Sequence, residues 1–469
     1  MARSATPRAK TTPRAARTPK SAQPTPPAAA PPGLVHPVFA EPVVTPDAQT
    51  FQVQHGSDNA VYAQVSALLK TQTVEVPASR LADDALFTLA EAYGPTGDQV
   101  AQSIRAAGRI VFHSVGDTGS SDVRRYRNEQ RVADQITTDA HSDEVNNRPA
   151  FFFHLGDVIY NFGETRYYYD QFYEPFRAYP APILALAGNH DSFVIPGTPA
   201  GEEPLVTFAR NFCAPSLDIT PEAGSLHRTA MTQPGVYFAF DAPFIRIIGL
   251  FSNALEDPGT ISSQGGHWPN VTDRQLAFLR AQLLRIKKEK YAGAVVIATH
   301  HPPFVYSAPP TGHTVSGNHG SSSDMLREID RICIETGIYP HAVFSGHAHC
   351  YQRFTRTIEF AGTTREVPFV VCGNGGHNVN PLVRGSRGQP AKEPENGTDV
   401  SYLDVKPAVT STKVALAKYD DHNYGYLRVS VDATQLRIAY HQAGDRSLLQ
   451  SRYDLVTVGL ATHNLVQNG

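Results

Sequence analysis

The amino-acid sequence predicts an α/β fold of the α+β type, in which two facing sheets are flanked by helices. Short apolar runs that are typical of strands recur between residues 109 and 440. Amphipathic stretches that are typical of helices lie among them at residues 125–140, 272–288 and 322–336. Strands that alternate with helices favour sheets with the helices packed outside, and the number of strand-like runs is enough for two sheets.

The strand-like runs fall into two groups. Those of the first group each precede a short motif that contains Asp or His: 109–115, 150–155, 183–187, 294–298 and 341–345. Those of the second group lack such a motif, and several are spaced as hairpins: 235–240, 244–250, 367–371, 424–431 and 435–440. Side chains that follow strand ends can meet in the crevice beyond the carboxyl edge of a sheet. The first group therefore predicts an active site.

We expect three parts along the chain. Residues 1–33 carry six Lys or Arg, no Asp or Glu and four Thr-Pro pairs, a composition that predicts a disordered basic tail. Residues 34–107 show helix-like apolar spacing at 58–70 and 82–93, which predicts a small helical extension. Residues 108–460 form the predicted catalytic domain. Its long Gly-, Pro- and Asn-rich segments are predicted to form the rim of the site: 192–203, 252–270 and 374–421.

Charge, hydropathy and cysteine content restrict the class of protein. Beyond residue 33 the chain has 35 basic and 44 acidic residues, which argues against nucleic-acid binding as the main function. No apolar stretch approaches the ~20 residues of a membrane span, and the N-terminus lacks the apolar core of a secretory signal. The four cysteines are scattered and predict reduced thiols. We therefore expect a cytoplasmic protein without a membrane partner, whose tail makes at most weak contacts with nucleic acid.

Five short motifs form the candidate site. They are Gly116-Asp117-Thr118-Gly119, Gly156-Asp157-Val158-Ile159-Tyr160, Gly188-Asn189-His190-Asp191, Thr299-His300-His301-Pro302 and Gly346-His347-Ala348-His349. Each of them alone could be an ordinary turn. All five in this order, each after a strand-like run, indicate a single site.

The residue types in these motifs suit two metal ions. Hydrolysis of a phosphate ester needs a nucleophilic oxygen and stabilisation of negative charge, and two ions roughly 3.5–4 Å apart supply both. Asp157 can bridge the ions with its two carboxylate oxygens, Asp117 can bind the first ion, and Asn189 can give the second a neutral carbonyl oxygen. Imidazoles, which suit zinc, iron and similar ions, come from His300, His347 and His349.

With these motifs the chain resembles the calcineurin-like metallophosphoesterases, whose signature contains GD-x-H, a second GD, GNH-[DE], a histidine before Pro, and GH-x-H. The resemblance extends over residues 109–353 and implies the four-layer αββα sandwich of that family. Position 119, where most members have a histidine, is Gly119, and Tyr160 stands three residues after Asp157. This exchange is typical of the purple acid phosphatase branch, in which the tyrosine binds Fe(III) as a phenolate.

The resemblance also implies a role for each motif residue. The first metal, Fe(III), is bound by Asp117, Asp157, Tyr160 and His349. The second metal, Fe(II), Zn(II) or Mn(II), is bound by Asp157, Asn189, His300 and His347. His190 and Asp191 are the implied catalytic pair: His190 contacts the phosphate or protonates the leaving group, and Asp191 orients the groups beside it.

Several assignments have alternatives. Tyr160 lies near other aromatic residues and could be a packed core side chain. Either His300 or His301 could be the ligand before Pro302; the family pattern selects His300, and His301 then either supports a ligand or contacts the substrate. His319, in the Gly/Pro/Ser-rich loop 311–323 that also contains His313, is either a substrate contact or a solvent-exposed residue.

Three other histidines lie close to strand-like runs. His113 and His154 fall inside such runs, where a histidine is more often a hydrogen-bonded core residue than a ligand. His377 follows a further run in Gly373-Asn374-Gly375-Gly376-His377, and the sequence does not assign it as a ligand.

Taken together, the residues and the resemblance predict a binuclear-metal phosphoric ester hydrolase of the purple acid phosphatase type, in which a metal-bound hydroxide attacks a phosphomonoester. A small phosphate ester is the expected partner. One alternative is a phosphodiesterase that acts on nucleotides or nucleic acid ends. The other is a non-catalytic protein that binds metal or anions. The presence of every expected ligand argues against this alternative, because a protein that had lost catalysis would usually have lost some of them.

Overall fold

The computed structural model describes residue 67 and residues 85–120, 123–142, 144, 147–160, 162–192, 203–255, 258–308, 314–317, 319–385, 388, 390–444 and 452–469. The predicted basic tail (1–33), most of the predicted extension (34–107) and His313 lie outside the described residues. The bounds predicted for the three parts of the chain stay a prediction.

The described strands and helices are numbered here in chain order. The strands are β1 (Leu86–Thr88), β2 (Arg109–Val115), β3 (Phe152–His154), β4 (Ile183–Ala185), β5 (Phe238–Ala242), β6 (Ile245–Leu250), β7 (Ala294–Thr299), β8 (Thr314–Ser316), β9 (Ala342–Ser345), β10 (Tyr351–Phe360), β11 (Thr363–Cys372), β12 (Val383–Gly385), β13 (Thr398–Asp399), β14 (Thr410–Asp420), β15 (Gly425–Asp432), β16 (Gln435–Gln442), β17 (Arg452–Gly459) and β18 (Leu465–Asn468). The helices are α1 (Leu89–Tyr93), α2 (Gly97–Ala107), α3 (Val123–Ser142), α4 (Pro204–Phe212), α5 (Arg274–Lys288) and α6 (Ser323–Thr336).

Two large mixed sheets form the frame. The first has the order β1-β5-β6-β7-β9-β11-β10-β14-β13, and the second has the order β18-β17-β16-β15-β2-β3-β4. Strands β6, β7, β9 and β11 run parallel in the first sheet, as do β2, β3 and β4 in the second. The predicted motifs follow β2, β3, β4, β7 and β9, so the parallel part of each sheet carries them.

The sheets face each other across an apolar core. The rings of Phe151 and Phe240 lie 4.9 Å apart between the sheets, and those of Phe153 and Phe238 lie 6.1 Å apart. Helices α5 and α6 cover the other face of the first sheet and belong to a second apolar cluster with β6 and β7. Helix α3 lies on the outer face of the second sheet, where Asp139 contacts His113 of β2 at 2.8 Å. The predicted αββα order of layers is therefore confirmed.

The structure corrects two predictions about individual segments. Residues 86–88, predicted within a helical stretch, form β1 and pair with β5 in the first sheet; helix α1 begins only at Leu89, after a capping box in which Thr88 and Glu91 exchange hydrogen bonds. The predicted rim segment 374–421 contains β14, which pairs along β10 in the first sheet. Among the described residues, the helices are all too short or too polar to cross a membrane.

Candidate metal centre

The five motif loops meet at one edge of the two sheets. Asp117 follows β2, Asp157 and Tyr160 follow β3, and Asn189 follows β4. The histidines come from the loops after β7 and β9 of the other sheet. Because these strands are parallel within each sheet, their carboxyl ends lie side by side and bring the loops together. All seven residues predicted as metal ligands are brought together here.

Four of these side chains form a first group around the Tyr160 hydroxyl. The Tyr160 Oη atom lies 2.8 Å from Asp157 Oδ2, 3.1 Å from Asp117 Oδ1 and 3.2 Å from His349 Nε2. His349 Nε2 is in turn 3.4 Å from Asp117 Oδ1. Tyr160 and Asp117 are fully buried and His349 is 8% exposed, so the polar atoms of this group face one another rather than solvent.

A second group surrounds the amide oxygen of Asn189. Asn189 Oδ1 lies 2.8 Å from His300 Nε2 and 3.1 Å from His347 Nδ1. The other oxygen of Asp157, Oδ1, is 3.4 Å from His300 Nε2. One ligand atom each from Asp157, His300 and His347 lies within 4.8 Å of the others. Asp157 therefore belongs to both groups, through one carboxylate oxygen each.

The donor set fits metal ions. Carboxylate, phenol and amide oxygens and imidazole nitrogens converge in a buried space, and these are the ligands of zinc, iron and manganese in proteins. Within that space Asn189 Oδ1, which offers only lone pairs, lies within hydrogen-bond distance of two imidazole nitrogens. A metal ion could take the place of the protons between these atoms and bind the lone pairs of all three.

The pKa shifts of Asp117 and His300 show that the buried carboxylates of the site favour a nearby positive charge. Burial, with a further contribution from Asp157, raises the pKa of Asp117 well above its usual range. Burial alone would lower the pKa of His300, but the Asp157 carboxylate outweighs that effect and raises it to about 9. His300 Nδ1 donates to the carbonyl oxygen of Leu155 at 2.8 Å, which directs Nε2 toward Asn189 and Asp157. The protonated imidazole thus balances charge that a metal ion would balance when bound.

The backbone is strained at three of the predicted ligands. Asp117, Asp157 and His347 have φ values of 58°, 55° and 64°, a region that non-glycine residues seldom adopt. Strain of this kind persists where the surrounding structure holds it, commonly at functional sites. Close packing around Asp157 contributes, because a Cβ atom on Gly188 would lie 2.0 Å from Asp157 Oδ1.

Gly119 and Tyr160 depend on each other. A Cβ atom at position 119 would lie 2.5 Å from the Val158 carbonyl oxygen, 2.8 Å from Gln171 Oε1 and 3.0 Å from Tyr160 Cδ2. The Gln171 side chain also bonds twice to the backbone of Tyr160: its Oε1 atom accepts from the Tyr160 N–H at 2.7 Å, and its Nε2 atom donates to the Tyr160 carbonyl oxygen at 2.6 Å. A larger side chain at position 119 would therefore collide with the Val158 carbonyl oxygen and crowd both Gln171 and Tyr160, so a glycine here suits the tyrosine at position 160.

The predicted catalytic pair occupies two different environments. His190 Nε2 lies 3.9 Å from Asp157 Oδ2, and its side chain is 12% exposed. Asp191 is fully buried and accepts hydrogen bonds from the backbone N–H groups of Gly188, Val158 and Ile159 at 2.8–3.1 Å. Burial and the neighbouring Asp157 raise the pKa of Asp191 to about 7. Its described contacts hold two motif loops in place, while a catalytic role for either residue stays a prediction.

The predicted substrate contacts His301 and His319 both lie against His347. Their ring centres are 4.2 and 4.0 Å from that of His347. His301 is 1% exposed, and Ser252 Oγ lies 3.0 Å from its Nδ1 atom. His319 is partly exposed. The structure thus places both residues next to a predicted ligand, and a substrate contact stays a prediction for both.

Other histidines differ in their distance from the site. As expected for core residues, His113 and His154 are buried and hydrogen-bonded, His113 to Asp139 and His154 to Thr118. His377, by contrast, lies in the site: its ring stacks on Tyr160 with 3.6 Å between centres. The strand-like run before Gly373 was the available sequence signal for it. Asn380, at 3.4 Å from His349 Nδ1, had no signal in the sequence.

The comparison with protein families gives one match. Residues 112–351 match the family described as calcineurin-like phosphoesterase, which is half of the chain and includes all five motif loops. No curated protein sequence matches the chain.

Solved structures give more distant similarities. A purple acid phosphatase, PPD1, from yellow lupin (Lupinus luteus) seeds shares 16% identity over 75% of this chain and 54% of that protein, with a TM-score of 0.47. GAP50, the anchor in the inner membrane complex of Plasmodium, shares 11% identity over 72% of this chain and 85% of its own length, with a TM-score of 0.40. PhoD shares 13% identity over 77% of this chain and 72% of its own length, with a TM-score of 0.42. The chain thus spans about half the length of the lupin protein.

Proposed function

The chain belongs to the calcineurin-like phosphoesterase family, a family of metal-dependent phosphoric ester hydrolases, and from that premise we propose that it is a binuclear-metal phosphatase of the purple acid phosphatase type. Its substrate would be a small phosphomonoester. The position of Asp157 is the observation that carries this proposal. One of its oxygens lies 2.8 Å from the Tyr160 hydroxyl and the other lies 3.4 Å from His300 Nε2, so one carboxylate links two sets of donor atoms.

In this proposal the first ion is held by Asp117, Asp157, Tyr160 and His349. The second ion is held by Asp157, Asn189, His300 and His347. When bound, two such ions acidify a water molecule and stabilise charge on the attacking and leaving oxygens. The protein contributes the fixed positions: Asp191 ties the Asp157 and Asn189 loops together through backbone N–H groups.

We assign Fe(III) to the Tyr160 side and Fe(II), Zn(II) or Mn(II) to the other. The support is chemical, because the first group is rich in oxygen donors that can be anionic and the second has two imidazoles and a neutral amide. Gly119 adds support, since its lack of a side chain leaves room for the phenol ring.

His190 is the proposed proton donor to the leaving group. Its backbone N–H donates to Asp157 Oδ1 at 2.9 Å, which fixes the residue, while the side chain remains 12% exposed. A partly exposed imidazole next to buried ligands is positioned to reach an ester oxygen that enters from solvent. The location we propose is the cytoplasm, supported by the four free cysteines, which are typical of a reducing compartment.

The first test is a visible spectrum and metal analysis of protein produced with ample iron. We expect two ions per chain and a purple absorption band that Tyr160→Phe abolishes. Colourless protein with two ions would contradict the ferric phenolate but keep a two-metal hydrolase.

The second test compares p-nitrophenyl phosphate with bis(p-nitrophenyl) phosphate as substrates of the metal-loaded protein. A higher kcat/KM for the monoester supports the phosphatase. A preference for the diester would favour the phosphodiesterase, and no turnover of either would favour a non-catalytic binding protein.

A further inference from the structure

We propose that His377 is a positioning residue for Tyr160, which it holds in place by covering one face of the phenol ring. The inference rests on the proposed function, because it concerns Tyr160 as a metal ligand. His377 lies in the loop that follows β11, outside the five motifs, and it is 7% exposed.

The first observation is the stacking of the two rings. The centres of the His377 and Tyr160 rings are 3.6 Å apart and the ring planes differ by 11°. The ring of His190 lies 4.0 Å from Tyr160 and 6.3 Å from His377. The two imidazoles therefore contact the phenol ring from two different directions. Rotation of the phenol ring would need one of them to move.

The second observation is the hydrogen bonding of the His377 loop. His377 Nδ1 lies 3.0 Å from the carbonyl oxygen of Gly119, and a carbonyl oxygen only accepts, so Nδ1 carries a proton. The backbone N–H of His377 donates to the Asp117 carbonyl oxygen at 3.0 Å, and that of Gly375 donates to Gly116 at 3.1 Å. The loop is thereby bonded to three of the four residues of the first motif, Gly116, Asp117 and Gly119.

These contacts connect Gly119, Tyr160 and His377. Gly119 leaves the space for the phenol ring, and His377 stacks on that ring while it is hydrogen-bonded to the same glycine. In a parallel stack the ring nitrogens lie in a plane beside the phenol, and Nδ1 is already bonded to Gly119. His377 therefore acts on the metal through Tyr160 and not as a ligand.

The experiment measures the affinity of the first metal site by titrating Zn²⁺ into the metal-free protein. Residues that hold metal ligands in position typically change affinity by about 10–100-fold when they are replaced. We expect His377→Gln, which can still donate to Gly119 but lacks the ring, to raise the Kd of the first metal site for Zn²⁺ by at least about 10-fold. His377→Phe, which keeps the ring, should retain most of the affinity.

A double-mutant cycle distinguishes positioning from a general loss of structure. Tyr160→Phe alone should weaken the same site, and adding His377→Gln to it should cause little further loss. The exposed His227 provides a matched control, because His227→Gln should leave both affinities unchanged. In iron-loaded protein, His377→Gln should also shift the purple band.

The inference is overturned if His377→Gln binds two Zn²⁺ ions with wild-type affinity, or if its effect adds in full to that of Tyr160→Phe. A wild-type protein that binds no metal would overturn the proposed function and this inference with it. Circular dichroism of each variant shows whether the fold is retained. If His377→Gln does not fold, the test rests on His377→Phe and Tyr160→Phe. Weak Zn²⁺ binding by His377→Phe would then contradict the role of the ring.

Discussion

Two buried polar clusters of this protein are built on opposite principles. The arginine cluster consists of Arg356, Asp330, Asp404 and Tyr339, and it joins β10 to α6. Arg356 donates to both oxygens of Asp330 at 2.8 Å and to both oxygens of Asp404 at 2.8 and 3.0 Å. Tyr339 donates to Asp330 at 2.8 Å. Each charge there meets a partner of opposite sign.

In the candidate metal centre the balance is incomplete. His300 partners Asp157, but burial and Asp157 still raise the pKa of Asp117 well above its usual range, and three residues of the centre have positive φ values. Within the described part of the chain, His301 Nε2 and His347 Nε2 are buried without a hydrogen-bond partner. Such groups cost free energy unless something else satisfies them. The arginine cluster is thus complete as folded, whereas the candidate metal centre keeps polar groups that a bound ion could satisfy.

The largest expected effect comes from Asp157→Asn. The variant loses the carboxylate that links the two ligand groups, and stabilisation by metal is worth several kcal/mol, so kcat should fall by about 1000-fold or more. The unfolding free energy of the metal-free variant should also fall, because the lost attraction between Asp157 and His300 outweighs the repulsion with Asp117 that is relieved. Turnover of p-nitrophenyl phosphate and urea unfolding measure the two quantities. Activity close to wild type would remove Asp157 from the centre.

For Asp330→Ala, the arginine cluster predicts a loss of stability without a loss of activity. Removing one partner of a buried ion pair typically costs about 3–5 kcal/mol, so the unfolding free energy should fall by that amount while kcat per folded molecule is unchanged. Glu335 provides the matched control: it forms a similar two-bond pair with Arg280, at 2.6 and 2.9 Å, but on the surface. Glu335→Gln should leave unfolding unchanged. If both variants behaved alike, burial would not be what distinguishes the arginine cluster.

The same contrast explains what the sequence could and could not predict. The side chains of the candidate metal centre could be predicted to meet because each stands in the loop after a strand and because their chemistry is local to a short motif. Strand β10 contains Arg353 and Arg356, which are 1% and 0% exposed. In the sequence these arginines resemble surface residues, because their partners Asp454 and Asp330 lie elsewhere in the chain. A strand of this kind has no apolar run to identify it.

Contacts between distant segments also account for the other differences. Residues 86–88 are too few to break the helix-like spacing around them, and only pairing with β5 makes them a strand. His377 carries a visible strand-end signal, yet its stacking on Tyr160 depends on how the loop after β11 lies along the first motif. Sequence patterns predict strand ends well, and they do not predict which loops lie against each other.

The smallest expected effect concerns a buried histidine with both nitrogens satisfied, unlike His301 and His347. His341 Nδ1 accepts from the Val295 N–H at 2.9 Å, and its Nε2 donates to the Leu460 carbonyl oxygen at 3.0 Å. Burial lowers the pKa of His341 to about 4. Between the unfolded pKa of about 6.5 and this value, the unfolded chain holds a proton that the folded protein does not. Stability is therefore full above pH 6.5 and is lost as the pH falls toward 4.

His341→Asn measures this contribution, because the Asn Oδ1 atom can still accept from Val295 while the side chain does not titrate. Relative to the variant, the wild type should lose up to about 3 kcal/mol of unfolding free energy between pH 7 and pH 4. Urea unfolding at several pH values gives both curves. Parallel curves would mean that His341 takes up a proton in the folded state as readily as in the unfolded chain. A buried histidine with both nitrogens hydrogen-bonded would then not make the folded protein less stable at low pH. The contrast with the candidate metal centre would rest on the carboxylates of that centre alone.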